Sequence, residues 1–169
     1  VKPKEDYFGI AEGPFSYAKL RLNYDNELAH SLSESSTEVA EAAINRALSL
    51  GASSVAGTVV VSASSEELAT SKQVEVESKD TMIRLSLREF FGNVSVQNSI
   101  ASRTLKGVEP ERLAQEIADT ALSIRKFGRL APGTYDVIYA PSPAGLILSN
   151  VNYMACMGSV ETGSPFVRC

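Results

Sequence analysis

Residues 74–97, VEVESKDTMIRLSLREFFGNVSVQ, decide the fold of this chain. Val74 and Val76 alternate with Glu75 and Glu77. Ile83, Leu85 and Leu87 alternate with Arg84, Ser86 and Arg88, and Val94 and Val96 with Ser95 and Gln97. Successive side chains of a strand point to opposite faces, so a period of two marks a strand with one wet and one covered face. The SKD and GN turn signals divide the run into consecutive strands, which predicts a half-exposed antiparallel meander. Upstream, Ser54–Ala63 (SVAGTVVVSA) is rich in β-branched residues, and Glu66–Ser71 (EELATS) reads as a further short strand.

The dry face of such a sheet needs helices, and two are legible. Ser35 followed by Glu38 has capping-box spacing, and Gly51 stands just past the last periodic residue. Between them Val39, Ala43, Ala47 and Leu50, with Ile44 and Leu48 beside them, form a wide apolar stripe. The second helix spans about 110–126. Pro110 suits its first turn, Glu111 and Glu116 its N-terminal half, and Arg125 and Lys126 its last turn before Gly128. Leu113, Ile117, Ala121 and Ile124 form its apolar face. FGRLAPG then leads into an expected strand, Thr134–Ala140, a turn marked by Pro141 and Pro143, and an apolar helix whose Leu146, Ile147, Val151 and Met154 read as core. A short strand is expected within Phe15–Tyr24, after a Gly- and Pro-punctuated arm over residues 1–14. The order of elements predicts an α+β fold, an antiparallel β meander packed against helices.

Composition narrows the function classes. The 169 residues suit one domain, and 44% apolar content is enough for a core. A net charge of −4, with no run of more than two basic residues, argues against a nucleic-acid footprint. No apolar run is long enough to span a membrane, and no secretory leader is recognisable. Two cysteines cannot build a disulfide framework, and a reducing cytoplasm is the plain reading.

Catalytic constellations are scarce. His30 is the only histidine, so a nucleophilic serine has no base marked by motif, and His30 itself reads as a surface or cap residue. The pairs Glu66/Glu67 and Glu109/Glu111 stand beside turns and helix starts, where solvated or dipole-complementing roles are expected. SPAG and GSP share only glycine with phosphate-cradling loops. Cys156 and Cys169 lie thirteen positions apart with no histidine near, a poor zinc set. Cys156 reads as a small buried residue of a helix and Cys169 as incidental.

The succession of short motifs resembles the TldD/PmbA family. It comprises Tyr24–Asp25, a helix closed by Gly51–Ala52, the AGT of Ala56–Thr58, the LATS of Leu68–Ser71, TMIRLSLREF, ERLAQEIADTAL and PGTYDVIYAPSPAG. Their order covers roughly residues 15–166. The resemblance implies a central α+β domain over 15–166 of a longer polypeptide, with a linker at 1–14 and a truncated end at 167–169. The start at Val1 and the stop after FVRC agree with that expectation. In the family's catalytic branch the helix after the strand carries a zinc-binding HExxxH motif. Here the matching positions hold Ser149, Asn150 and Met154, which are not zinc ligands. The chain is therefore similar to the PmbA (TldE) branch, which lacks the metal and partners TldD.

The resemblance implies a non-catalytic subunit of a cytoplasmic zinc peptidase that degrades or processes peptides. No cofactor is expected in this chain, and zinc is expected in a TldD-like partner. The partner is either that catalytic subunit or a second copy, with no nucleic acid and no membrane involved. The family's older label, modulator of DNA gyrase, finds no support in an acidic chain without a basic stripe. A second reading stays open, in which the chain is a stand-alone module that grips extended peptide at an exposed sheet edge.

Overall fold

In the computed structural model, the described residues are 9–18, 23–124 and 128–156. The chain divides into two compact units, Val1–Lys126 and Phe127–Cys169. The first unit holds helices α1 (Asn26–His30), α2 (Leu32–Ser49) and α3 (Pro110–Ile124), and strands β1 (Ser54–Ala69), β2 (Glu75–Phe91) and β3 (Val94–Ser102). The second holds helix α4 (Pro141–Ala155). The sheet is an antiparallel meander in the order β1-β2-β3, so the expected α+β architecture is present.

The alternation at Ile83, Leu85 and Leu87 does what its period demands. All three are buried under α2 and α3, while Arg84 and Arg88 are exposed on the opposite face. Cross-strand register brings Val61, Val59 and Gly57 of β1 beside them, with Ser102, Ile100 and Asn98 of β3 on the other side. From α2 the core receives Val39, Ala43 and Ala47, and from α3 Leu113, Ala114, Ile117 and Ala121. The alanines at these positions let both helices approach the sheet closely.

The strands are longer than their sequence signals. The SKD triplet is not a turn, because β2 runs straight through it, with Ser78, Lys79 and Asp80 opposite Glu66, Ser65 and Ser64. Likewise Glu66–Ser71 is no separate strand, since β1 continues to Ala69. Each strand offers the other an unbroken row of backbone donors and acceptors, which outweighs the local turn preference of Lys79–Asp80. The hairpin instead closes at Thr70–Val74, where the Thr70 N–H donates to the Val74 carbonyl (2.9 Å) and Gln73 takes φ of 61°. The GN signal does mark a turn, with Gly92 at φ of 67° between β2 and β3.

Helix α2 begins four residues before the expected start, with Ser31 at its N-cap position. Ser35 is not its N-cap but lies inside the helix, buried, with its Oγ 2.8 Å from that of Ser31. The upstream cap that organises this region is Asp25, whose Oδ1 accepts from the N–H groups of Glu27 (3.0 Å) and Leu28 (3.3 Å) to start α1. At the other end the expectation holds. Gly51 has φ of 91°, its N–H donates to the Leu48 carbonyl and that of Ala52 to the Ala47 carbonyl, a Schellman closure.

Part of the expected core lies outside. Ile44 and Leu48 on α2 and Ile124 on α3 are exposed, because their helices turn a narrower face to the sheet than the apolar stripe suggests. No strand forms within the described part of Phe15–Tyr24, and residues 19–22 lie outside the described set, as does most of the arm at 1–14. At 12–13 the chain meets the hairpin turn. The Gly13 N–H donates to the Lys72 carbonyl (2.7 Å), and Glu12 pairs with Lys72 (2.7 Å).

The second unit departs furthest from expectation. The expected strand Thr134–Ala140 does not form, and these residues pair with no strand among the described residues. Pro141 and Pro143 sit in the first turn of α4 rather than in a turn before it, where a missing N–H costs no helical bond. The stripe Leu146, Ile147, Val151 and Met154 is exposed rather than core.

Candidate functional site

Helix α4 carries the positions where the sequence expects a lost zinc motif. Ser149, Asn150 and Met154 are all exposed on it. Residues five apart on a regular α-helix point about 140° from each other, so Ser149 and Met154 do not converge. The Asn150 Nδ2 donates back to the Leu146 carbonyl (2.8 Å), which occupies its amide within the helix. A hydroxyl, an amide and a thioether that diverge do not fit a zinc ion, which requires imidazole, thiolate or carboxylate donors on one side. Among the described residues no group of three or more His, Cys, Asp and Glu side chains is placed to hold a metal. Cys156, expected to be buried within the helix, is exposed at its C-terminal cap, and Cys169 lies outside the described residues.

What α4 presents instead is apolar surface. Leu146 and Leu148 are each 67% exposed and Tyr153 is 74% exposed, and in the segment before the helix Ile138 is 99% exposed. From Ala131 to Cys156 the only charged side chain is that of Asp136. An exposed surface with so few charges is more apolar than an ordinary solvated face.

The other candidate groups have local roles. His30 closes the last turn of α1, its Nδ1 donating to the Asn26 carbonyl (2.6 Å). Glu109 pairs with Arg112 (3.1 Å) at the start of α3, and its carbonyl accepts from Leu113 N–H (3.1 Å). Glu66 and Glu67 lie exposed near the end of β1, beside the hairpin turn.

Two side chains that no motif singles out are more telling. Thr81 is fully buried; its Oγ1 accepts from the Asp25 N–H (2.9 Å) and donates to the Arg103 carbonyl (2.7 Å). Asp25 Oδ2 in turn accepts from the Leu105 N–H (3.2 Å), so one Asp–Thr pair ties α1, β2 and the segment after β3 together. The aromatic-Asp motif at Tyr24–Asp25 thus has a structural use. Glu89 is fully buried, with neither carboxylate oxygen hydrogen-bonded, and burial pushes its pKa up to about 7. The signal for it was present in the alternation, because the phase of residues 83, 85 and 87 continues to 89 and 91.

The sheet also offers an edge. No strand among the described residues pairs with the outer side of β1, which runs sixteen residues. Its first twelve residues, Ser54–Ser65, include no charged side chain. Natural edges are commonly protected by charges, proline or bulges. Among the described residues no helix is long and apolar enough to cross a membrane. No protein-family model, curated protein or solved structure matches the chain.

Proposed function

We propose that this chain is a non-catalytic, PmbA/TldE-like subunit of a cytoplasmic TldD-type zinc peptidase complex, supplying scaffold and subunit interface while a TldD-like partner holds the zinc. The order of sequence motifs supports the family. The single structural observation that carries the role is α4, a well-formed helix at the position of the zinc motif that bears non-ligands and leaves its apolar side chains bare. Such a helix is suited to pack on a partner and not to hold a metal.

The test is co-expression with a TldD-like subunit. The two should co-purify, and zinc-dependent peptide cleavage should require both. Leu146→Asp with Leu148→Asp should abolish co-purification while leaving the sheet and its helices folded. One tightly held zinc per copy of this chain, found by metal analysis, would overturn the reading.

The uncharged outer edge of β1 favours a second reading, a stand-alone module that takes extended peptide as an added strand. Peptide binding without any partner, with slowed amide exchange along Ser54–Ser65, distinguishes it.

A further inference from the structure

The face of the sheet turned away from α2 and α3 joins cations with hydroxyl side chains. Register sets its rows across β1, β2 and β3 as Ser54–Phe90–Ser95, Ala56–Arg88–Gln97, Thr58–Ser86–Ser99 and Val60–Arg84–Ala101. Those four rows contain two arginines, five hydroxyl side chains and no acid. Arg84 and Arg88 stand exposed on the central strand, flanked by small or neutral neighbours that leave their guanidinium groups accessible. Arg88 is held in place: its Nε and Nη2 donate to Ser95 Oγ (3.3 and 2.9 Å) and its guanidinium lies 5.4 Å from the Phe90 ring centroid. Arg84 makes no hydrogen bond or ion pair among the described residues. Beside Arg88 a groove of about 220 Å³ opens over Ala56, Thr58, Ser86 and Gln97. The nearest acid along this face of β2 is Asp80, which is already paired with Arg103 (2.8 Å).

We propose that this face docks an acidic polypeptide segment in extended conformation, with two carboxylates seated on Arg84 and Arg88. The chain has a net charge of −4, so an acid-free face with two cations is where an acidic partner can approach. Spacing selects the conformation. Four residues of strand separate the two arginines by about 13 Å, and an extended partner repeats that distance with acids four residues apart on one face. An α-helix aligns acids at about 10 or 16 Å, and its pair about 12 Å apart is rotated by about 80°, so a helix seats the two carboxylates less well. The hydroxyls of Thr58, Ser86 and Ser99, in the row between the arginines, supply donors for the backbone carbonyls of such a segment. This surface is distinct from the β1 edge and from α4, and stands whether or not either of those is occupied.

Fluorescence anisotropy with labelled Ser/Thr/Val peptides tests it on the full chain. A peptide with glutamates four residues apart should bind. A peptide of the same composition with adjacent glutamates, or one with lysines in their place, should bind at least about tenfold more weakly. Arg84→Gln with Arg88→Gln should weaken the spaced peptide about tenfold, Arg84→Lys with Arg88→Lys should retain part of the affinity, and Arg112→Gln should change nothing. Both arginines are exposed, so an unchanged circular dichroism spectrum is expected for every variant. Equal binding of spaced and adjacent glutamates, or an equal loss with Arg112→Gln, overturns the proposal. So does tighter arginine-dependent binding of a DNA oligonucleotide or of anionic vesicles, or arginine-dependent self-association without peptide binding.

Discussion

At Glu89 the carboxyl group has left water without gaining a hydrogen bond, and desolvation raises its pKa from 4.5 to about 7. The folded state therefore holds this proton more tightly than the unfolded chain does. Its contribution is fully present below the unfolded value near pH 4.5 and is lost as pH rises through about 7. Across that window the wild type should lose about 3 kcal/mol relative to Glu89→Gln, which cannot ionise. Denaturant titrations of both proteins at pH 4.5 and 8 measure it, and parallel stability profiles would refute the assignment. Thr81 makes the opposite case, a buried polar group with every bond made. Thr81→Val keeps the shape but orphans the Asp25 N–H and the Arg103 carbonyl, and should cost about 2–3 kcal/mol at any pH. Loss of order in α1, read as faster amide exchange at Leu28, should accompany it.

Strand β1 shows how an element constrains its own residues. A Cβ at Gly57 would lie 2.5 Å from the Ser86 carbonyl oxygen, a contact that only movement of the β1–β2 ladder can relieve. Gly57→Ala should therefore destabilise by about 1–3 kcal/mol, although alanine has the better strand propensity, and thermal melts with Ala56→Gly as the comparison check it. The same scale explains what was legible in the sequence. Period two at residues 83–88, the Gly51 closure and Pro110 are short-range signals, and the structure follows them. The SKD triplet, Ser35 and Glu66–Ser71 mislead because the competing force is long-range: a sixteen-residue partner strand and an Asp25 cap anchored on Thr81, fifty-six positions away. Ile44 and Leu48 mislead for a related reason, since periodicity shows which residues share a helix face but not how much of that face the sheet covers. Of the site, that Ser149, Asn150 and Met154 are poor zinc donors was readable from side-chain chemistry alone. Glu89 and the arginine face needed the register, because only pairing shows which side of the sheet each residue occupies.

For the whole molecule, the distribution of burial is decisive. Every buried residue among those described lies between Leu28 and Ala121, within the first unit, and none belongs to α4. The first unit has its own core of two helices on a sheet, so its cooperative unfolding is expected to survive removal of Phe127–Cys169. The second unit contributes a neutral apolar surface that costs free energy while it faces water. A chain ending at Lys126 should accordingly melt within a few degrees of the full chain and sediment as a monomer. The full chain, without a partner, should self-associate as its concentration rises, and Leu146→Asp with Leu148→Asp should reverse that without moving the melting temperature. Differential scanning calorimetry and sedimentation velocity on the three proteins separate the two effects. A truncated chain that lost its cooperative transition would mean that residues 127–169 complete the core. Monomeric sedimentation of all three at every concentration would mean that the exposed leucines of α4 are not a contact surface.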